Sequence, residues 1–383
     1  WEKELHGVPS YHYTCNQLTD PRASLPVDKE WVSPTNHIHQ VGNDRLVAVA
    51  SNYGHVQVRQ DEGSPKFLND YRPERDCYGG GIGFLTDGED LVLSTYYTGK
   101  AETFDRSFGM GYLRKRVSAR QYTVDQVIFA PYGDDPVMIS QVTVTNRSNE
   151  TVRPRWVEYW GCSNYQFSYR SLMESGVLGG SPSAVERRRD LSARFSHHFQ
   201  TLEDGKGLLE TQTFLGRTPQ EEQTWQQTQA SLTAKPTGFF GGPMPPLPPG
   251  TSMDDLSPPA TFLASLDAPV DGYATNARQF FRGGIEHPQG TSAPLSHDLG
   301  TQGPQRAFFL ERQLVLKPGE SRTLYFLYGY LPNGFTVNAL VAKYTADPAS
   351  LWSRSSAQWK PDGPLFRARA RRMVLRGALW SRG

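Results

Sequence analysis

Paired carboxylates are the residue type that glycoside chemistry needs, one as acid and one as base or nucleophile. The chain offers two adjacent pairs, Asp134-Asp135 and Asp254-Asp255. The first sits in a predicted turn before a strand and the second beside a Pro-rich stretch. Adjacent acids in loops are most simply solvated turn formers, and neither pair is assigned a catalytic role. Tyr78-Gly79-Gly80-Gly81-Ile82-Gly83 is rich enough in glycine to cradle a phosphate. A phosphate loop needs a helix N-terminus behind it and a Lys-Ser/Thr pair, and strand-like residues follow instead. Close strand packing or a bulge is the expected use of these glycines. His37-Ile38-His39 puts two imidazoles on one strand face, but no further metal ligands are placed by sequence. His197 and His198 should point to opposite faces of a strand and are read as ordinary. No Gly-x-Ser-x-Gly elbow for a serine hydrolase occurs. The residues predict no metal site, no cofactor and no catalytic residue.

The elements around these residues read as strands. Arg45 to Ala50 is a short apolar run, and His55 to Arg59 alternates with period two. Tyr122 to Ala130 is β-branched and aromatic, and Val137 to Thr145 alternates. Asn146 to Glu150 should form a polar hairpin turn, with Val152 to Trp160 as the partner strand of a long antiparallel meander. It carries two sequons, Asn146-Arg147-Ser148 and Asn149-Glu150-Thr151, read as turn residues. Arg194 to Phe199, Gly207 to Phe214, Ala260 to Leu266, Arg306 to Leu316 and Ser321 to Tyr330 continue the style. Lys317-Pro318-Gly319-Glu320 supplies a turn before the last of them. Helical periodicity is read only near the end, at Val337 to Tyr344 and onward from Ser350 to Trp359. Residues 217–259 read as a surface insertion, polar and then Pro-rich at Gly241 to Gly250, where no central strand can run.

Composition agrees. Aromatic residues at 12%, with 36 Gly and 28 Pro, favour strands and turns. A net charge of +1 gives no global field for nucleic acid or an anionic membrane, so neither is an expected partner. No run approaches the ~20 apolar residues of a membrane span. Cys15, Cys77 and Cys162 are scattered and odd in number, which argues against zinc and a disulfide framework and suggests the cytoplasm. The start at Trp1 shows no initiator Met or signal peptide, so a true N-terminus upstream is expected. The basic run Arg367 to Arg372 reads as a linker helix cut from its packing partner rather than a nucleic-acid patch.

Four segments in this order carry a resemblance. They are Phe108-Gly109-Met110-Gly111-Tyr112, a strand ending Phe129-Ala130-Pro131, Met138 to Asn146, and Val157-Glu158-Tyr159-Trp160. With Leu314 to Glu320 and the helical Leu340 to Tyr344 with Trp359 beyond, residues 40–360 resemble the N-terminal sandwich domain of the cellobiose phosphorylase family. That is glycoside hydrolase family 94, with its cyclic β-1,2-glucan synthase relatives. The resemblance implies an all-β fold: a large antiparallel β-supersandwich of the galactose-mutarotase-like type, with the Pro-rich insertion and short C-terminal helices. It would span residues 1–345. Residues 346–383 would be a helical linker toward an (α/α)6 barrel that carries the general acid and the phosphate site. Inorganic phosphate would be the co-substrate of that full enzyme, and the domain would bind oligosaccharide or β-glucan, buttress the barrel and support a homodimer. The family's Asn-aromatic-Gln-Arg turn near the acceptor sugar matches Asn164-Tyr165-Gln166-Phe167, with Phe167 in place of the Arg and Arg170 close by. Asn164, Tyr165, Gln166 and Arg170 are therefore the candidate sugar-binding residues. Two alternatives stand beside this reading: a free-standing carbohydrate-binding module, and the sandwich of a polysaccharide lyase or another hydrolase.

Overall fold

Alternation of apolar and polar residues has to be resolved by stacking one sheet on another, since each strand then has an inner and an outer face. The computed structural model describes residues 2–4, 8–13, 38–60, 66–88, 91–95, 102–162, 194–233, 257–300 and 306–358. The strands that carry the argument are β1 (Gly80–Thr86), β2 (Thr103–Gly109), β3 (Tyr112–Ser118), β4 (Tyr122–Phe129), β5 (Val137–Asn146) and β6 (Arg155–Gly161). Next come β7 (Phe195–Thr201), β8 (Gly207–Phe214), β9 (Ala260–Ser265), β10 (Arg306–Gln313) and β11 (Ser321–Leu331). Among the described residues the larger sheet has ten strands, in the order Glu2–Glu4, Val8–Tyr13, β2, β3, β4, β5, β11, β9, β8, β7. The smaller has nine, and its main path runs Gly272–Asn276, β10, β6, β1, Val56–Gln60, Leu46–Ser51, Ile38–Gly42. Neighbouring strands in both sheets pair antiparallel, which makes the molecule an all-β sandwich.

The expected meander holds from β2 to β5 and then breaks. Instead of folding back on β5, β6 crosses to the other sheet and lies between β1 and β10, while β5 takes β11 as its partner. The side chain of Asn146 explains the crossing. It is fully buried, and its amide donates to the carbonyls of Glu150 (2.7 Å), Leu316 (3.1 Å) and Lys317 (3.1 Å). The Asn146–Glu150 turn is thus tied to the Lys317–Glu320 turn rather than closing a hairpin, and the Asn146 amide is unavailable to a glycan.

A second departure lies in the insertion. Pro219–Thr233 is a helix, α1, where the sequence reading had only a polar surface stretch. Its start is a reciprocal cap: Glu221 accepts from the backbone N–H and hydroxyl of Thr218, and the Thr218 hydroxyl accepts from the Glu221 N–H. Arg194 adds an ion pair at 2.8 Å, and these contacts hold the Glu221 carboxyl down at about 2. The Pro-rich run, Asp254-Asp255, Cys15, His37 and the basic C-terminal run lie outside the described residues. Among the described residues no helix is long and apolar enough to cross a membrane.

Two further helices, α2 (Val337–Thr345) and α3 (Leu351–Ala357), close the outer face of the larger sheet. Thr336 caps α2 by accepting from the Ala339 N–H. Leu340, Val341, Tyr344, Leu351 and Trp352 form a second core with Tyr112, Phe129, Ile139, Phe262 and Leu327, separate from the core between the sheets. Trp352 meets Tyr112 and Phe129 edge-on, with ring centroids 4.9 and 5.1 Å away. Truncating a buried Trp of this kind costs about 3–5 kcal/mol. Trp352→Ala should therefore lower the urea midpoint by that equivalent at unchanged slope, and a loss under about 1 kcal/mol would mean that α3 contributes little to the fold.

Candidate functional site

The inner face of a sandwich should be apolar, so the charged side chains found there need an account. On β3, Leu113, Lys115 and Val117 share the inward phase, and all three are fully buried. On β6, Trp156, Glu158 and Trp160 do the same. Arg106, Lys115 and Gln126 stand in register across β2, β3 and β4, a transverse polar row through the core. Arg106 donates to the Asn52 carbonyl (2.8 Å) and lies over the rings of Tyr13 and Phe104. The Lys115 ammonium donates to the carbonyls of Gly54 (2.8 Å) and Gly81 (2.5 Å), with Ser94 Oγ at 3.4 Å. Each Glu158 oxygen accepts one indole N–H at 3.0 Å, Oε2 from Trp156 and Oε1 from Trp160.

The glycine-rich run makes room for those indoles. A methyl group on Gly83 would stand 1.7 Å from Trp156 Cζ2, and one on Gly80 would stand 2.3 Å from Trp160 Cε3. Strand β1 therefore needs glycine for close packing, as the sequence reading expected, and the pairing with β6 shifts register between Tyr159 and Trp160. Burial drives the Lys115 pKa down to about 7, opposed by attraction to Glu158. Burial likewise drives Glu158 up to about 7, opposed by its hydrogen bonds and by Lys115. Both groups are sealed from solvent, so this pair positions strands and cannot reach a substrate.

A second polar group lies at the β7 edge of the larger sheet. Glu210 on β8 is fully buried and stands opposite Thr261 on β9, whose hydroxyl donates to Oε2 at 3.0 Å. Its Oε1 accepts from His197 Nδ1 on β7 at 2.7 Å. Among the described residues His197 Nε2 has no hydrogen-bond partner. Arg306, at the start of β10, reaches the Gly300 carbonyl, and its backbone carbonyl accepts from the Cys162 N–H at 3.1 Å. Burial depresses the Arg306 pKa, offset by the charges of Glu210 and Asp298. Arg306 Nε is buried and has no partner among the described residues. Burial, reinforced by Glu210, pushes the Cys162 thiol well above its usual range, so Cys162 stays a thiol and is no nucleophile. The carboxylate orients the imidazole, whose side chain is only 9% exposed and whose Nε2 has no hydrogen-bond partner among the described residues.

The chain leaves the described structure at Cys162, two positions before Asn164. Asn164, Tyr165, Gln166 and Arg170 themselves lie outside the described residues. His197 and His198 point to opposite faces of β7, as the alternation implies, and His197 is held by the buried Glu210 carboxylate. His198 bonds Ser196 Oγ at 2.9 Å on the exposed side, and His39 donates to the Gly109 carbonyl at 2.8 Å. Asp134 and Asp135 are both taken up by contacts of the fold. Asp134 binds Arg45, and Asp135 takes Lys343 and the Tyr344 hydroxyl. Lys115, Glu158, Glu210 and Arg306 were missed. The available signal was phase: Glu158 sits two residues from Trp156 and from Trp160, Lys115 two from Leu113 and Val117, and Glu210 two from Leu208.

No family model matches the chain, and no curated protein matches it. Among solved structures, a protein described as a polysaccharide lyase aligns at a TM-score of 0.35 and 10% identity, over 81% of this chain and 35% of that one. One described as a kojibiose phosphorylase, from the human microbiome, aligns at 0.38 and 10% identity, over 82% of this chain and 34% of that one. An Escherichia coli K12 protein described as an aldose 1-epimerase aligns at 0.33 and 10% identity, over 78% and 99%. The chain thus spans about a third of the length of the first two.

The buried pair sets a pH dependence. A carboxyl raised from 4.5 to about 7 on folding contributes stability that is present below 4.5 and lost as pH rises toward 7. The Tm of the native chain minus that of Glu158→Gln should therefore fall between pH 4.5 and 7. At pH 7 the amide also leaves one indole N–H unpaired, a cost of about 1–3 kcal/mol that is independent of pH. A pH-independent difference in Tm would show that Glu158 titrates normally.

Proposed function

We propose that the chain is a carbohydrate-binding, non-catalytic sandwich domain that holds sugar at the β7–β8–β9 edge. The observation that carries the reading is His197: buried Glu210 fixes its Nδ1–H, its Nε2 has no partner among the described residues, and Cys162, two positions before Asn164 in sequence, lies beside Glu210 and Thr261. An imidazole nitrogen so oriented accepts a hydrogen bond from a sugar hydroxyl. Asn164 and Gln166 would add amide donors and acceptors, Arg170 a cation, and Tyr165 a ring to stack on a pyranose face. Glu210 is then a positioning residue.

Within this reading the domain belongs to a glycoside phosphorylase or a related β-glucan-processing enzyme of cytoplasmic location. It supports the acceptor side, residues 346–383 lead to a helical catalytic domain, and inorganic phosphate is the co-substrate there. The sequence resemblance over residues 40–360 supports the assignment.

Calorimetric titration with β-linked gluco-oligosaccharides tests the site. His197→Ala and Asn164→Ala should each weaken binding by about tenfold, the equivalent of one lost hydrogen bond of ~1.4 kcal/mol. His197→Gln, which keeps a polar side chain, should lose less, and Tm should separate lost binding from lost fold. Unchanged affinity in both alanine variants would remove the site. The chain alone should neither release nor take up phosphate with β-glucosides, and measured turnover would contradict a non-catalytic role.

A further inference from the structure

The outer face of the larger sheet holds a second concavity, remote in sequence from the His197 edge. The loop after β4 and the helices α2 and α3 enclose a cleft of about 230 Å³. Pro131, Leu351 and the Tyr344 ring give it an apolar lining, Tyr132 stands at its mouth 38% exposed, and Lys343, Arg354 and Gln358 supply polar groups. Pockets for drug-sized ligands run to roughly 300–1,000 Å³, so this one suits a single ring.

The charges in the cleft are not equivalent. Asp135 binds both the Lys343 ammonium and the Tyr344 hydroxyl at 2.5 Å. Burial and Asp135 together push the Tyr344 pKa up, so the hydroxyl keeps its proton and its place. Lys343 is thereby neutralised. Arg354 has only a 3.4 Å contact to the Asp347 carbonyl, and among the described residues no carboxylate lies within ion-pair distance of it. One guanidinium fork is left over. Its planar geometry matches a carboxylate or a phosphate. The Gln358 amide can both donate and accept, as ring hydroxyls require, and Tyr132 offers an aromatic surface for a ring.

We propose that this cleft binds one anionic sugar ring, a hexuronate or a sugar phosphate, with its acid group on Arg354 and its ring against Tyr132. That the ring is a sugar rests on the preceding reading of the domain; that it is anionic rests on the cleft alone.

Chemical-shift titrations of the whole chain with glucose, glucuronate, glucose 6-phosphate and inorganic phosphate test it. At least one of the two charged sugars should bind ten times or more tighter than glucose. The preference should weaken with added salt and vanish in Arg354→Gln, an exposed position where folding should be unaffected. Tyr132→Ala should weaken every sugar, and His197→Ala none of them at this cleft. Which charged sugar binds tighter identifies the acid group. Glucose binding as well as both charged sugars would overturn the anionic assignment, as would a preference retained in Arg354→Gln. Inorganic phosphate binding as tightly as the better charged sugar would overturn the ring. Oligosaccharide binding lost in His197→Ala while all four probes fail would leave the edge standing and sink the cleft.

Discussion

Two ionisable side chains that cannot reach water, Lys115 and Glu158, set a demand that the packing between the sheets has to meet. Lys115 and Glu158 come from different sheets, and both are fully buried. A buried polar or charged group without hydrogen-bond partners is costly. The fold meets that demand with two backbone carbonyls for the ammonium and two indole N–H groups for the carboxylate. The indoles fit only because β1 is glycine where they lie. The glycine-rich run, the paired tryptophans and the two charges are thus one device. It fixes β6 against β1, including the register shift at Tyr159 and Trp160.

The edge depends on that register. Strand β6 ends at Gly161 and Cys162, where the backbone meets β10 at Arg306 and where Tyr328 donates to the Gly161 carbonyl at 3.1 Å. Tyr328 itself stacks on Trp160 with ring centroids 4.4 Å apart. A shift of β6 by one residue would exchange its faces and place Val157 and Tyr159 where the indoles lie. The start of the Asn164 segment and the position of Arg306 would then move with it. The Glu210–His197 pair is set separately, by the β7–β8–β9 register, so two ladders converge on one edge.

Most strands were legible because alternation is a local signal. Tyr122 to Phe129 and Val137 to Asn146 are found almost where the pattern put them. Partner choice was not local. Asn146 looks like a hairpin residue until its amide is seen to bond Leu316 and Lys317, about 170 positions away. Helix α1 lacks an apolar stripe of helical period in a mostly polar sequence, although Thr218-Pro219-Gln220-Glu221 carries a capping signature. The glycine-rich run was read correctly as a packing device, but its partners Trp156 and Trp160 are some 75 residues on. The proposed sugar-binding edge was the least legible part. Its carboxylate, Glu210, reads as one polar residue in an alternating strand, and only the fold shows that it faces inward onto His197.

Hydrogen exchange of the whole chain, with and without a saturating β-linked oligosaccharide, bears most directly on the claim that sugar binds at this edge. The account predicts slowed exchange confined to residues 195–201, 207–214 and the start of β10, together with the segment that follows Cys162. No change there, or protection centred on the opposite Ile38–Gly42 edge, would contradict it.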